Sequence, residues 1–134
     1  MKYLLDTNVC IRFLQGRSVS LLRRLESVAD PEKCLCSVVA AELIYGAAKS
    51  QRRKETLERL NQFLSCFRML DFDIAAARHF GEIRAELHQR GTPIGPYDLQ
   101  IAAIARANQL ILVTNNTAEF SRVPHLICED WETP

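Results

Sequence analysis

Four acidic residues lie at positions from which their side chains could act together on one metal ion. Each follows a short apolar run, or lies in the first turns of the helix after such a run. If the runs are neighbouring strands of a parallel sheet, the carboxylates meet at the edge where ligands of open α/β sheets bind. The four are Asp6 in YLLDTNV, Glu42 in VVAAELIYG, Asp98 in IGPYDLQIAA and Glu119 in VTNNTAEF.

Carboxylates that converge without lysine or arginine beside them repel one another. The repulsion is roughly 4 kcal/mol for a close pair at an effective dielectric constant near 20. A bound divalent cation removes this repulsion and can promote the attack of water on a phosphodiester. The sequence therefore predicts a site for one or two divalent cations, Mg²⁺ or Mn²⁺, in which the acids mainly hold the metal.

Two of the four acids also have a simpler explanation. Asp6 and Asp98 stand where an aspartate caps a helix or interacts favourably with its amino-terminal dipole. Glu42 is harder to explain in this way, because its neighbours are apolar and a glutamate among them needs a partner or a cation. A shared site is favoured because acids follow the strands in three successive strand–helix units.

The composition is that of one globular domain, here residues 1–134. The chain is 48% hydrophobic and 25% charged, with a formal net charge of +1, which argues against an indiscriminate polycation but permits local basic patches. No apolar stretch approaches the roughly 20 residues of a membrane span. The first residues, MKYLLDTN, lack the apolar core of a signal peptide, so we expect a cytoplasmic protein with no membrane contact.

Short strands that alternate with helices predict an α/β sandwich with a parallel sheet. In the predicted order, Ser37 caps the third helix, Asp73 caps the fifth and Gly91 ends the fifth. The predicted strands are 2–5, 33–36, 67–70, 109–114 and 126–128, and the predicted helices include 8–14, 19–28, 51–65, 74–90, 97–108 and 117–121.

The remaining cysteine, histidine and aromatic side chains are given structural roles. We expect free, buried thiols, because the five cysteines are scattered and show no zinc-ligand spacing. The three histidines also lack a ligand pattern. Trp131 is expected to pack the carboxy-terminal tail. Phe13 and Tyr45 are expected to lie in the core or to contact a partner protein, rather than to stack on RNA bases.

The motifs around the acids resemble those of the PIN-domain ribonucleases, and more narrowly those of the VapC toxins of bacterial toxin–antitoxin pairs. They are DTN after the first strand, AELIYG, GPYDLQIAA, and VTNNTAEF followed by EDW, and together they run from Lys2 to Trp131. The resemblance implies a PIN-like three-layer α/β/α sandwich with about five short parallel strands. It also implies an Mg²⁺-dependent endoribonuclease.

The resemblance assigns roles to particular residues. Asp6, Glu42 and Asp98 would be the metal-binding acids. Thr7 and Asn8 would support that site, and Thr114 would supply the hydroxyl that precedes the last acidic position.

The chain departs from the PIN pattern at Asn116, where many family members have an aspartate. An amide oxygen can still bind Mg²⁺ or hold a water molecule, but one negative charge is lost. Glu119 lies three residues later, so a helical turn would bring it to the same face. We interpret Glu119 as the replacement acid and the fourth catalytic carboxylate.

Partners and substrate also come from the resemblance. It implies a homodimer, silenced in a hetero-oligomer by a small VapB-type antitoxin that presents an arginine to the acids. It implies an RNA substrate, namely initiator tRNA cut in the anticodon loop. The candidate phosphate contacts are Arg12, for which a solvated surface role is favoured, and the strip Arg52, Arg53 and Lys54, for which a solvated helix start is at least as good an explanation.

Two other functions are weighed against this one. A haloacid-dehalogenase phosphatase would place a second aspartate two residues after Asp6, where Asn8 stands instead. A catalytically degenerate PIN-fold module that only binds RNA or protein would explain Asn116. The three remaining acids argue against this module, and its weak metal affinity would distinguish it.

Overall fold

Five short parallel strands form a single sheet in the order β3-β2-β1-β4-β5. The computed structural model describes residues 1–133. The strands are β1 (Tyr3–Leu5), β2 (Lys33–Cys36), β3 (Arg68–Leu70), β4 (Ile111–Val113) and β5 (Cys128–Glu129). The helices are α1 (Thr7–Gln15), α2 (Val19–Ser27), α3 (Ser37–Ala48), α4 (Arg53–Leu64), α5 (Ile74–Gln89), α6 (Pro96–Ala107) and α7 (Thr117–Phe120), with a 3₁₀ turn at Asp30–Glu32.

The strand order places a topological switch point between β1 and β4. From β1 the chain builds the sheet outwards through β2 and β3, and then returns to add β4 and β5 on the other side of β1. Leu4 pairs in register with Cys34 on one side and with Leu112 on the other. Ligands of open α/β sheets bind outside the carboxyl ends of the strands at such a point. The ends of β1 and β4 are therefore the predicted place for a site.

The central strand is buried on both faces, as a parallel sheet between two helical layers requires. All three residues of β1 are buried, and the predicted α/β sandwich is confirmed. Trp131 is 4% exposed and packs edge-on against Tyr3, with ring centroids 4.9 Å apart. The predicted packing role of Trp131 is thereby confirmed.

Arg106 connects α5 to α6. Its guanidinium donates to Nδ1 of His79 at 2.8 Å, to the carboxylate of Glu82 at 2.8 Å and to the carbonyl of Pro124 at 3.2 Å. These bonds fix α6 against α5 and against the segment before β5. Since Asp98 lies at the start of α6, they also help to set its position.

Two predictions from the sequence are wrong in detail. Ser37 does not cap α3; Cys36 is the N-cap and makes no side-chain bond, because β2 runs directly into the helix without a turn residue. The thiols are all free, but Cys66 is exposed and Cys128 is partly exposed, so only Cys10, Cys34 and Cys36 are buried.

Other local predictions are confirmed. Asp73 caps α5 and accepts the backbone N–H of Ala76 at 2.9 Å. Gly91 follows that helix with φ of 69°, a left-handed conformation that favours glycine. Among residues 1–133, none of the helices is both long enough and apolar enough to cross a membrane.

We predict that Asp73→Ala lowers the free energy of unfolding by about 1 kcal/mol, because α5 loses its amino-terminal cap. The measurement is urea unfolding followed by circular dichroism. The matched control is Asp71→Ala, which removes an exposed carboxylate two residues earlier. Equal stability of the two variants would show that the cap contributes nothing.

Candidate functional site

Asp6 lies where β1 ends and α1 begins, with only 4% of its surface exposed. Its Oδ1 accepts the backbone N–H of Asn8 at 2.6 Å, so it does cap α1. Its Oδ2 accepts the hydroxyl of Thr114 at 2.5 Å. Capping and membership of a shared site are therefore not alternatives here, because one carboxylate is placed to do both.

Thr114 joins the ends of the two central strands. It is fully buried, and its hydroxyl donates to Asp6 while accepting the backbone N–H of Asn116 at 3.0 Å. The backbone reinforces this link, because the N–H of Asp6 donates to the carbonyl of Val113 at 3.0 Å. The loop after β4 is thus held beside the end of β1.

Glu42 reaches the same region from α3. Its Oε1 accepts the hydroxyl of Thr7 at 2.7 Å, so the first residue of α1 contacts the acid at the middle of α3. Glu42 is only partly buried. This bond satisfies one carboxylate oxygen and supports the predicted role of Thr7 beside the site.

Asn116 and Glu119 lie on the same side of the short helix α7, as the spacing predicted. The amide nitrogen of Asn116 donates to Oε2 of Glu119 at 2.8 Å. The backbone N–H of Gly95 donates to Oε1 of Glu119 at 3.2 Å. In this arrangement Glu119 supplies the negative charge and Asn116 holds it in place.

Asp98 lies in the first turn of α6 and is partly buried. Burial, and after it the negative charges of Glu119, Asp6 and Glu42, together raise the pKa of Asp98 to about 6. These charges affect Asp98 because all four carboxylates lie near one another. We refer to Asp6, Glu42, Asp98 and Glu119 as the acid cluster.

The acid cluster is not neutralised by the protein. None of its four carboxylates forms an ion pair with lysine or arginine within residues 1–133. Burial also raises the pKa of Asp6, although the hydrogen bonds from Thr114 and from the backbone oppose this shift. Negative charge is therefore concentrated at the carboxyl ends of β1 and β4.

The donor set of the acid cluster suits a hard cation such as Mg²⁺ or Mn²⁺, which prefers carboxylate oxygens. As the side chains lie, however, no group of three or more His, Cys, Asp or Glu residues within 1–133 could hold a metal ion. Asp6 and Glu42 direct oxygens towards neighbouring donors instead. Glu42 and Asp98 are partly exposed, so a cation could reach them from solvent.

Within residues 1–133, the basic residues proposed for phosphate binding form no ion pair with the acid cluster. Arg12 is bonded through Nε to Glu132, which also accepts from the amide of Asn115 at 3.0 Å. The sequence did not predict this contact with the carboxy-terminal segment. Arg52, Arg53 and Lys54 are exposed at the start of α4, and their contact with RNA stays a prediction.

Two contacts of the site could not be predicted from the sequence. The N–H of Gly95 that binds Glu119 is a backbone donor, which any residue type except proline would supply. Glu132 reaches Arg12 over a separation of 120 residues. Only the folded chain brings these groups together.

Comparisons of the sequence and of the structure with known proteins indicate the same family. The PIN domain profile matches residues 3–126. The chain is 47% identical over 131 residues to the tRNA(fMet)-specific endonuclease VapC of Shigella flexneri, covering 98% of each chain. The structure of DNA-bound VapBC from Salmonella typhimurium superposes with a TM-score of 0.93 at 42% identity over 98% of each chain. That of VapBC2 from Rickettsia felis on a promoter DNA fragment superposes with a TM-score of 0.90 at 39% identity, covering 98% of this chain and 99% of that one.

The raised pKa of Asp98 makes the stability of the metal-free protein depend on pH. The folded state binds this proton more tightly than the unfolded state, whose pKa is near 3.8. Stability therefore falls as pH rises from about 4 to about 6. We predict that Asp98→Asn, in chelator at pH 8, raises the melting temperature by about 4 °C, and that it has little effect near pH 4.

Differential scanning calorimetry at the two pH values provides the measurement. Asp71→Asn is the matched control, since it neutralises an exposed acid outside the cluster. A melting temperature for Asp98→Asn no higher than that of the wild type at pH 8 would mean that neither burial nor the neighbouring carboxylates make the ionised Asp98 costly.

Proposed function

The chain belongs to the PIN-domain family and, within it, to the VapC ribonucleases, and we propose that it is an Mg²⁺-dependent endoribonuclease. The single observation that supports metal dependence is the acid cluster itself. Four carboxylates lie together at the switch point of the sheet with no lysine or arginine paired to them within residues 1–133. A divalent cation would offset this charge, whereas folding alone gains nothing from it.

We infer that Asp6, Glu42 and Asp98 would hold the metal ion. Glu119 would add a fourth negative charge beside it. Bound there, Mg²⁺ would lower the pKa of water and stabilise negative charge that develops on a phosphodiester. The hydroxyl of Thr114 and the N–H of Asn8 would keep the carboxylate of Asp6 in one orientation. Thr7 would do the same for Glu42.

Asp98 is suited to a second task. A carboxylate within hydrogen-bonding reach of the attacking water can act as its general base. We propose that Asp98 can accept the proton from the attacking water. Glu119 is the other candidate for this role.

The proposed substrate is tRNA, and more narrowly initiator tRNA. This proposal rests on the two relatives named tRNA(fMet)-specific endonuclease, which are 47% and 42% identical to this chain. Unpaired loops are the parts of RNA in which bases are open to recognition. The anticodon loop is therefore the proposed place of cleavage.

The proposed partner is a small VapB-type antitoxin that neutralises the enzyme within a hetero-oligomer. The support is that the similar structures are VapBC complexes. An antitoxin arginine would pair well with the uncompensated acid cluster, because guanidinium binds carboxylates in a bidentate manner. Homodimer formation is part of the same proposal.

The function is tested by incubating the antitoxin-free protein with total tRNA, in Mg²⁺ and in chelator. We predict discrete, metal-dependent cuts by the wild type. In the variants Asp6→Asn and Asp98→Asn we predict rates lower by more than about a hundredfold, since losing groups that only orient metal ligands already costs roughly 10- to 100-fold.

Asp71→Asn again serves as the control and should cleave at the wild-type rate. Cuts that persist in chelator would contradict metal dependence. If tRNA stays intact under every condition while divalent ions bind weakly, the degenerate binding module would replace the enzyme.

The roles of Asn116 and Glu119 are separated by two variants. We predict that Glu119→Gln removes most activity because the fourth negative charge is lost. Asn116→Ala should cost less, on the order of tenfold, because it removes only a group that holds Glu119. Initial rates of RNA cleavage provide the measurement, and a loss confined to Asn116→Ala would reverse the assignment.

A further inference from the structure

A groove of about 780 Å³ opens directly from the acid cluster. Thr7, Asn8 and Glu42 belong to both the site and the groove. Beyond them the groove runs between α3, which contributes Tyr45, and the start of α6, which contributes Tyr97. If an RNA strand places one phosphate at the carboxylates, the nucleotides on either side of that phosphate therefore lie beside this groove.

Two tyrosine rings in the groove are more exposed than folding explains. Tyr45 is 66% exposed and Tyr97 is 58% exposed, so the prediction that Tyr45 could be a core residue is wrong. Neither hydroxyl makes a hydrogen bond within residues 1–133. Aromatic surface left in water contributes little to stability, which suggests that a binding partner covers it.

The rings lie next to the proposed catalytic carboxylates in the chain. Tyr97 immediately precedes Asp98 at the start of α6, and Tyr45 follows Glu42 by three residues on α3. Residues three apart are neighbours on a helix surface. Both rings line the same groove as Glu42, so they are available to nucleotides on either side of the reacting phosphate.

A lysine in the same groove adds positive charge. The Nζ atom of Lys49 lies 4.9 Å from the centroid of the Tyr45 ring, and Lys49 forms no ion pair within residues 1–133. Because Lys49 lies over one face of the Tyr45 ring, a base can stack on the other face while its phosphate is attracted to the charge. Such a charge also offsets the repulsion between RNA and the acid cluster.

We propose that Tyr45 and Tyr97 bind the substrate by stacking on the unpaired bases that flank the cleaved phosphodiester, and that Lys49 contacts an adjacent phosphate. This inference rests on the proposed ribonuclease function. Single-stranded RNA is the proposed occupant because the groove shares Glu42 with the site that the substrate must reach. The positive charge of Lys49 over the Tyr45 ring provides a partner for a phosphate in the same groove.

The test compares Tyr45→Ala and Tyr97→Ala with the corresponding phenylalanine variants, which keep the ring. The substrate is a synthetic stem-loop that contains the sequence cut by the wild type, either intact or with abasic ribose at the flanking positions. On intact RNA we expect each alanine variant to raise KM by roughly tenfold, with a smaller change in kcat. The phenylalanine variants should behave as the wild type, and abasic RNA should remove most of the difference.

Binding of a fluorescent single-stranded RNA in chelator gives a second readout that does not require cleavage. The alanine variants should bind roughly tenfold more weakly, whereas the control Ile127→Ala, which removes an equally exposed apolar side chain (64%) outside the groove, should bind as the wild type. Light scattering on each variant reports the oligomeric state.

Several results would overturn the inference. Unchanged KM and RNA affinity in the alanine variants would leave the ribonuclease intact but remove the tyrosines from substrate binding. An equal loss on intact and abasic RNA would show that the rings do not stack on these bases. Dissociation of oligomers in the alanine variants would show that a second copy covers the rings. Failure of the wild type to cleave any RNA would instead contradict the proposed function, while the binding readout still decides whether the rings contact RNA.

Discussion

The hydrogen bond from the hydroxyl of Thr114 to Asp6 is the interaction on which the arrangement of the site depends. It joins the carboxyl ends of β1 and β4, the two strands that flank the switch point of the sheet. Because both groups are buried, breaking the bond would leave an unsatisfied hydroxyl beside a buried carboxylate, which is costly. The same hydroxyl fixes Asn116, and Asn116 in turn fixes Glu119. The positions of two of the four acids therefore derive from one threonine.

The acid cluster concentrates charge that the rest of the fold does not neutralise. The molecule uses its salt bridges elsewhere, as between Arg106 and Glu82 or between Arg12 and Glu132. Uncompensated carboxylates reduce stability at neutral pH, and the buried parallel sheet is what can hold them together in spite of this. This loss of stability is explained if the carboxylates bind a cation that the chain itself does not supply. The unpaired carboxylates, their place at the switch point of the sheet and the membership of the PIN-domain family are thus all consistent with a reaction at a phosphodiester.

Much of this arrangement was predictable, because its causes are local. Alternating strands and helices indicated the sheet, Asp73 matched a helix cap, and the spacing of Asn116 and Glu119 matched one helical turn. The failures have physical reasons too. A serine before a helical pattern indicates a cap, but the sequence does not show that β2 enters α3 without a turn. The link between Glu132 and Arg12, and the N–H of Gly95 at Glu119, depend on tertiary packing. The exposure of Tyr45 was missed since an aromatic residue among apolar neighbours on a helix usually points inwards.

The central claim is that the four carboxylates assemble to bind a divalent cation. Calorimetric titration of Mn²⁺ into the metal-free protein near pH 6.5, in buffers of different ionisation enthalpy, tests it most directly. We expect saturable binding accompanied by release of a fraction of a proton, because a pKa of about 6 leaves Asp98 partly protonated at this pH and bound metal displaces that proton. We also expect affinity at least about tenfold weaker in Asp6→Asn. Absence of binding to the wild type, or equal binding to both proteins without proton release, would contradict the account.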